Sequence, residues 1–224
     1  MPRVARIVVP GWPHHLIQRG NNREKIFFDD EDRKCYLELI KHYIEKWKCY
    51  VYAYCLMPNH IHLLVEPTEE KTLRKMMQAI SLCYTQTINT KYSRTGRLWE
   101  CRYHSSIVDK DVYLWAVCRY IERNPVRANL VSDPREYNWS SAKYHFLNEP
   151  NPILTKNKWI LPAEERDYMK YLLESESKKE KEFITKMTYK GLPITKEESQ
   201  SKFEIMFNKK IFPLSRGRPK KAEK

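Results

Sequence analysis

The spacing of apolar residues divides the first two thirds of the chain into alternating strands and helices. Alternation of apolar and polar positions predicts a strand, because successive strand side chains point to opposite faces. Apolar positions three or four residues apart predict a helix. The predicted strands are 12–20, 49–56, 60–65 and 98–108. The predicted helices are about 30–47, 72–91 and 110–124, with a short closing helix from 139–142.

The order β-α-β-β-α-β followed by a helix is that of the split βαβ, or ferredoxin-like, fold. We therefore predict an α+β domain with an antiparallel sheet, as in RNA-recognition modules. Two helices would cover one face of the sheet, and the other face would stay open for a site. The closing helix completes a first domain over residues 1–148.

Residues 149–224 are predicted to form a mostly helical C-terminal extension with a basic tail at 209–224. Pro150-Asn151-Pro152 marks the boundary. Residues 163–189 alternate in charge, which predicts an exposed helix with a solvated face. A further helix is expected near 196–208.

The segment Pro58-Asn59-His60-Ile61-His62 is the first candidate for chemistry. Alternation places Ile61 towards the core and both histidines on the opposite face. Two imidazoles on one face of a strand offer half of a divalent metal site. Ordinary half-buried histidines are the commoner explanation of such a pair, so other residues must decide.

Charge favours a polyanionic partner, of which nucleic acid is the commonest. The chain carries 41 basic and 28 acidic residues, a net charge of +13, and seven basic residues against one acidic fall in the tail. The six cysteines form no C-x-x-C pair, which argues against a zinc ribbon and fits a reducing compartment. No apolar run approaches the roughly 20 residues needed to span a bilayer, so a cytoplasmic protein without a membrane partner is expected.

Tyr113, Tyr120 and Asn124 share one face of the third predicted helix, where residues one turn apart are neighbours. A tyrosine beside two histidines and a metal indicates nucleophilic attack on phosphorus. The chain has 15 tyrosines, however, and a helical tyrosine is more often part of a core or an interface.

Several ordered segments resemble those of HUH (histidine–hydrophobic–histidine) single-tyrosine transposases, over roughly residues 8–146. Met57–Val65 resembles their histidine strand, and Arg119–Ala128 resembles their nucleophile helix. Other matching segments are Arg19–Asn22, Asp32-Arg33, Gly96–Trp99 and Trp139–Ser141. Within that superfamily the Asn-Pro-Val-Arg-Ala run and the Gly-Arg-Pro-Lys-Lys ending are similar to REP-associated tyrosine transposases. These act on repetitive extragenic palindromes in bacteria.

The resemblance implies that Tyr120 is the nucleophile and that His60 and His62 are metal ligands. Asn124 stands where insertion-sequence relatives have a glutamine ligand, and its carbonyl suits Mg²⁺ or Mn²⁺. Attack by Tyr120 would give a 5′-phosphotyrosine intermediate and a free 3′-hydroxyl. The implied activity is cleavage and strand transfer of single-stranded DNA in transposition or recombination. Tyr113 is the reserve nucleophile.

The implied partner is single-stranded DNA beside a REP-like hairpin, so the protein would associate with the bacterial nucleoid. A monomer is favoured, and a homodimer is the alternative. Arg19 and Asn21–Arg23 are candidates for base reading in a turn that Gly-Asn-Asn also favours for local reasons. Trp99 and Tyr103 are candidates for base stacking, with core packing as the commoner role. The other candidate DNA contacts are Arg94, Arg97, Arg102 and, in a tail resembling an AT-hook, Arg216 and Arg218.

Two other functions fit parts of the sequence. A non-catalytic DNA- or RNA-binding module would use the same scaffold, but would need neither the histidine pair nor Tyr120. A metal-dependent hydrolase without a covalent step would need carboxylate ligands, and only Glu66 shares the histidine face.

Overall fold

The computed structural model describes residues 6–147, 150–155, 165–208 and 210–211, apart from the side chains of 165 and 166. Four strands form one antiparallel sheet in the order β2-β3-β1-β4. The strands are β1 (His14–Arg19), β2 (Cys49–Met57), β3 (His60–Pro67) and β4 (His104–Ile107). This order puts β3 and β1 side by side at the centre, and the predicted α+β fold class is confirmed.

Helices connect and flank the strands. They are α1 (Asp30–Lys46), α2 (Thr72–Lys91), α3 (Leu114–Glu122), α4 (Asn124–Arg127), α5 (Ala142–Leu147), α6 (Glu165–Leu173), α7 (Lys178–Lys190) and α8 (Gln200–Phe207). The Asp29 side chain caps α1 by accepting a hydrogen bond from the backbone N–H of Asp32. The Asp32 side chain in turn accepts one from the backbone N–H of Asp29. No helix within the described residues is long and apolar enough to cross a bilayer. All six cysteines are free thiols.

One face of the sheet packs against α1 and α2, as predicted. Leu16, Ile61 and Leu63 point into this first core and are fully buried. Tyr36 of α1 and Tyr84 of α2 meet edge to face there, with ring centroids 4.9 Å apart. Because strand side chains alternate, His15 and His62 must face the other way.

The second face of the sheet is covered, so the prediction of an open face is wrong. A second core joins Leu64 of β3 to Val117 and Ile121 of α3 and to Ile184 of α7. The prediction of one exposed helix over 163–189 is also wrong, because the segment forms α6 and α7. Their inner positions are buried and lie four residues apart: Tyr168, Leu172, Ile184 and Thr188.

The fourth strand and the third helix are shorter than predicted. Leu98, Trp99 and Tyr103 turn into the first core, which leaves only four residues to pair as β4. Pro125 has no N–H and cannot continue α3. It lies instead in the first turn of α4, where that N–H is not needed.

A buried carboxylate ties α3 to two later segments. Glu122 is fully buried and accepts hydrogen bonds from Ser141 Oγ, from His145 Nδ1 at 2.5 Å and from Tyr168 OH at 2.8 Å. A buried carboxylate is tolerated only when such partners replace its water. This cluster therefore fixes where α3 lies on the sheet.

We predict that Glu122→Ala lowers the free energy of unfolding by about 3 kcal/mol, because it leaves buried polar partners of the carboxylate unsatisfied. Urea unfolding measures the change. The matched control is Glu45→Ala, at an exposed position of α1, which should change it by less than about 0.5 kcal/mol. Equal effects of the two substitutions would contradict a structural role for the cluster.

Candidate active site

Strand β3 presents His60 and His62 side by side on the second face of the sheet. Their ring centroids are 5.0 Å apart, His62 is buried, and His60 is partly buried. β3 lies between β2 and β1, so both rings stand near the middle of the sheet. In the register with β1, Ile17 faces His62 and Arg19 faces His60.

Helix α3 brings Tyr120 to these rings. The Tyr120 ring is buried, with its centroid 5.8 Å from that of His62 and 5.6 Å from that of His15. Its hydroxyl lies 3.2 Å from Thr185 Oγ1 of α7. Tyr113, at the N-terminal cap of α3, packs instead against Phe183, with centroids 5.5 Å apart. The two tyrosines therefore have different surroundings.

His15 belongs to the same cluster, although sequence reasoning missed it. Its Nε2 lies 3.0 Å from Nδ1 of His62, and its Nδ1 lies 2.9 Å from Thr188 Oγ1. The rings of His15 and His62 are stacked, with an interplanar angle of 13°. The signal was available, since β1 neighbours β3 in a ferredoxin-like sheet and alternation puts His15 on the face of Arg19.

The turn before β3 orients His60. Asn59 Nδ2 donates to the backbone oxygen of Arg23 at 3.0 Å, so its Oδ1 faces His60 Nδ1 as an acceptor at 2.6 Å. Gly20 lies at the close approach of these segments, where its backbone N–H donates to the backbone oxygen of Asn59 at 2.8 Å. A Cβ on Gly20 would come within 2.4 Å of the Glu24 oxygen, so no larger residue fits.

Burial keeps the clustered imidazoles uncharged. Desolvation lowers the pKa of His15 to about 3 and that of His60 to about 4, and it lowers the pKa of His62 well below its ordinary value. The positive charge of Arg127 lowers all three further. At neutral pH the rings are thus neutral, which is the form that binds metal ions.

Asn124 and Arg127 follow Tyr120 at the start and end of α4. Asn124 is buried, and its Nδ2 donates to the backbone oxygens of Tyr120 and Ile121 at 3.1 and 3.2 Å. The donor atom that this leaves for a cation is Oδ1. Arg127 stacks on the Tyr120 ring, 4.4 Å from its centroid, and pairs with Glu176 at 2.5 Å. Sequence reasoning also missed this contact of Arg127.

The histidine pair fits a divalent cation by the chemistry of its donors. Asn59 Oδ1 can only accept, so His60 carries its proton on Nδ1 and keeps a lone pair at Nε2, while Nδ1 of the neighbouring His62 is occupied by its contact with His15. Within the ranges that the structure describes, no group of three or more histidine, cysteine, aspartate or glutamate side chains could hold a metal. A cation at His60 and His62 would therefore need amide, phosphate or water oxygens to complete its ligands. Glu66, the carboxylate on this face, accepts instead from Tyr52 OH.

The predicted DNA contacts lie in several places. Arg19 is beside His60, and its guanidinium carbon is 5.6 Å from the centroid of the Tyr189 ring of α7. Asn21–Arg23 form a 3₁₀ turn directly after β1, with Asn22 and Arg23 exposed. The two residues have φ of 51° and 60°, which fits the turn that Gly-Asn-Asn favours.

Three further predicted contacts, Arg94, Arg97 and Arg102, lie in the segment between α2 and β4. Arg94 pairs with Glu24 at 3.8 Å, and Arg97 donates to the Glu100 oxygen at 3.1 Å. Arg102 is exposed and lines a cleft of about 470 Å³ with Arg6, Lys71 and Arg74. Arg216 and Arg218 lie outside the described residues.

Trp99 and Tyr103 belong to the first core. Both are buried, and Trp99 donates to the Ser81 oxygen at 3.3 Å. Arg6 covers the Tyr103 ring at 4.1 Å from its centroid. Packing, the commoner fate of strand aromatics, thus explains both side chains better than base stacking.

A ferredoxin-like sheet whose histidine–hydrophobic–histidine strand faces a helical tyrosine is the arrangement expected of HUH single-tyrosine enzymes. A family model described as transposase IS200 like matches residues 9–124, which include His60, His62, Tyr120 and Asn124. The chain belongs to this family of DNA-processing transposases. The resemblance drawn from the sequence motifs is thereby confirmed.

Two solved structures are similar to this chain. A REP-associated tyrosine transposase bound to a REP hairpin has 14% identity and a TM-score of 0.57 over 73% of this chain and 96% of its own. A putative transposase from Deinococcus radiodurans R1 has 19% identity and a TM-score of 0.39 over 55% and 97%. Only the first supports the fold. No curated protein matches.

Proposed function

We propose that this transposase cleaves and joins single-stranded DNA beside REP-like hairpins, through a 5′-phosphotyrosine at Tyr120. His60, His62 and Asn124 would hold Mg²⁺ or Mn²⁺, which when bound would neutralise charge on the phosphate oxygens. The observation that carries the proposal is the meeting of Tyr120 with a neutral histidine pair on one face of the sheet. The name of the similar solved structure supports a hairpin as the partner.

The chemistry assigned to Tyr120 exchanges one ester for another. Its phenol oxygen attacks the scissile phosphorus, the bond from phosphorus to the 3′-oxygen breaks, and the 3′-oxygen leaves as a hydroxyl. The phenol proton must depart, and Thr185 Oγ1 lies 3.2 Å away as a hydrogen-bond partner of the resting hydroxyl. A 3′-hydroxyl attacking the phosphotyrosine reverses the step, which gives strand transfer.

Arg127 has a defined part in this proposal. Its guanidinium stacks on the Tyr120 ring and donates to the backbone carbonyl oxygen of Tyr120, so it holds the ring of the nucleophile in place. Its charge is also near the three histidines, where an anionic phosphate would enter. Arg19, which faces His60 across β1 and β3, adds a second positive charge near this histidine.

Base-edge reading would fall to Arg19, Asn21, Asn22 and Arg23 in the turn beside this site. Phosphate contacts would fall to Arg94, Arg97 and Arg102, and also to Arg216 and Arg218 of the tail. We favour a monomer in which Tyr120 acts within its own chain, because Tyr120 and the histidine pair of one chain already meet.

The non-catalytic binding module has less support. Modules of that kind stack bases on aromatic residues of an open sheet face. Here α3 and α7 cover the corresponding face, while Trp99 and Tyr103 are buried on the side of α1 and α2.

We predict that Tyr120→Phe abolishes a covalent protein–DNA adduct, because it removes the attacking oxygen. The assay incubates the protein and Mn²⁺ with hairpin oligonucleotides carrying unpaired flanks, followed by denaturing electrophoresis. A 3′ label should travel with the protein, whereas a 5′ label should appear on a shortened free strand. Tyr113→Phe is the matched control and should retain the adduct. An adduct in Tyr120→Phe, or cleavage without any adduct, would refute the proposed nucleophile.

Replacement of His62 by alanine should abolish Mn²⁺ binding, because it removes one of two adjacent imidazole donors. Isothermal titration calorimetry of the DNA-free protein measures this directly. His42→Ala, at an exposed position of α1, controls for the loss of any histidine and should leave the affinity unchanged. Unchanged binding in His62→Ala would place the metal elsewhere.

A further inference from the structure

A line of hydrogen bonds runs from α7 through β1 to the histidine pair. Thr188 Oγ1 donates to the backbone oxygen of Ile184 at 2.8 Å. The same oxygen atom lies 2.9 Å from His15 Nδ1, and His15 Nε2 lies 3.0 Å from His62 Nδ1. His15 and Thr188 are fully buried, and His62 is 2% exposed.

The direction of this line follows from counting protons. A hydroxyl has one proton, and Thr188 gives its proton to Ile184, so towards His15 it can only accept. His15 must then carry its proton on Nδ1 and present a lone pair at Nε2. That lone pair accepts the proton of His62 Nδ1, which leaves Nε2 of His62 without a proton.

The opposite direction would abolish the lone pair that a metal needs. If Thr188 donated to His15, the proton of His15 would move to Nε2 and that of His62 would also lie on Nε2. Burial keeps bulk water from satisfying the ring nitrogens in place of these partners. The threonine on α7 therefore selects which nitrogen of His62 is free.

We propose that Thr188 and His15 are positioning residues, which fix the tautomer and the ring orientation of His62 for the metal ion. This inference rests on the proposed metal site. Neither residue would touch the metal, and each acts through the next ring. Hydrogen-bonded partners of ligating histidines fix them in this way.

Asn59, in the turn that precedes β3, fixes the tautomer and the ring orientation of His60 in the same way. His62 instead depends on a helix 126 positions further along the chain, and α7 lies beyond the segment that matches the transposase family. The C-terminal extension is thus part of the site and not only an appendage to it.

The first test reads the tautomers directly in the metal-free protein. Two-bond ¹H–¹⁵N correlation spectra at neutral pH distinguish a protonated ring nitrogen from a lone pair. We expect His15 and His62 both to carry the proton on Nδ1. A proton on Nε2 of His62 overturns the inference without any substitution.

The second test removes the acceptor at Thr188. Thr188→Val keeps the shape of the side chain but cannot accept from His15. We expect Mn²⁺ binding about tenfold weaker, with His62 shifted towards the Nε2–H form. Thr188→Ser restores the hydroxyl and should restore both readouts.

Matched variants separate the outcomes. Thr87→Val on α2 loses the same kind of hydroxyl, which donates to the backbone oxygen of Cys83 at 3.1 Å, and should change neither readout.

If Thr188→Val does not fold, His15→Phe takes its place, since it keeps a ring beside His62 but cannot accept the Nδ1 proton. Unchanged Mn²⁺ affinity in a folded variant overturns the inference while the metal site stands. Failure of the unmodified protein to bind Mn²⁺ would instead refute the proposed function.

Discussion

The hydrogen bond between His15 and His62 joins the two central strands on the face that carries the chemistry. It exists because β1 and β3 are neighbours and because alternation turns both imidazoles away from the core of α1 and α2. It is buried, so it requires neutral rings with defined proton positions. Without the closure of this face by α3 and α7, water would reach both rings and neither requirement would hold.

The covering helices also determine where the nucleophile lies. Glu122 anchors α3 through Ser141, His145 and Tyr168, and this places Tyr120 over the histidines. Pro125 then ends the regular bonding of α3, and the chain restarts as α4. Because α4 begins at this break, its last residue, Arg127, stacks on the Tyr120 ring. The break in the helix thus provides both a packing contact and a positive charge for Tyr120.

Local patterns predicted the order of the strands and helices in the first domain. Apolar spacing gave the bounds of α2, and alternation put Ile61 into the first core and His62 on the other face. The alternating charges in the sequence of 163–189 concealed the buried positions Ile184 and Thr188, which lie about one helical turn apart. Leu98–Tyr103 reads as a strand by composition, yet its aromatics pack into the first core.

Contacts between distant segments could not be read from the sequence. His15 meets Thr188 across 173 positions, and Arg127 meets Glu176 across 49. Such pairs depend on the path that α6 and α7 take over the sheet, and no short motif encodes that path. The candidate residues on one strand or one helix were accessible to pattern analysis, and alternation also offered His15, whereas the contacts made by Thr188 and Arg127 were not accessible.

The most direct measurement is a crystal structure of the protein soaked with Mn²⁺, with the metal located by its anomalous scattering. We predict one strong peak bound by Nε2 of both His60 and His62, on the side of the sheet where Tyr120 lies. A peak at another group of side chains, coordination through Nδ1, or no peak under conditions in which the protein cleaves hairpin DNA would contradict it.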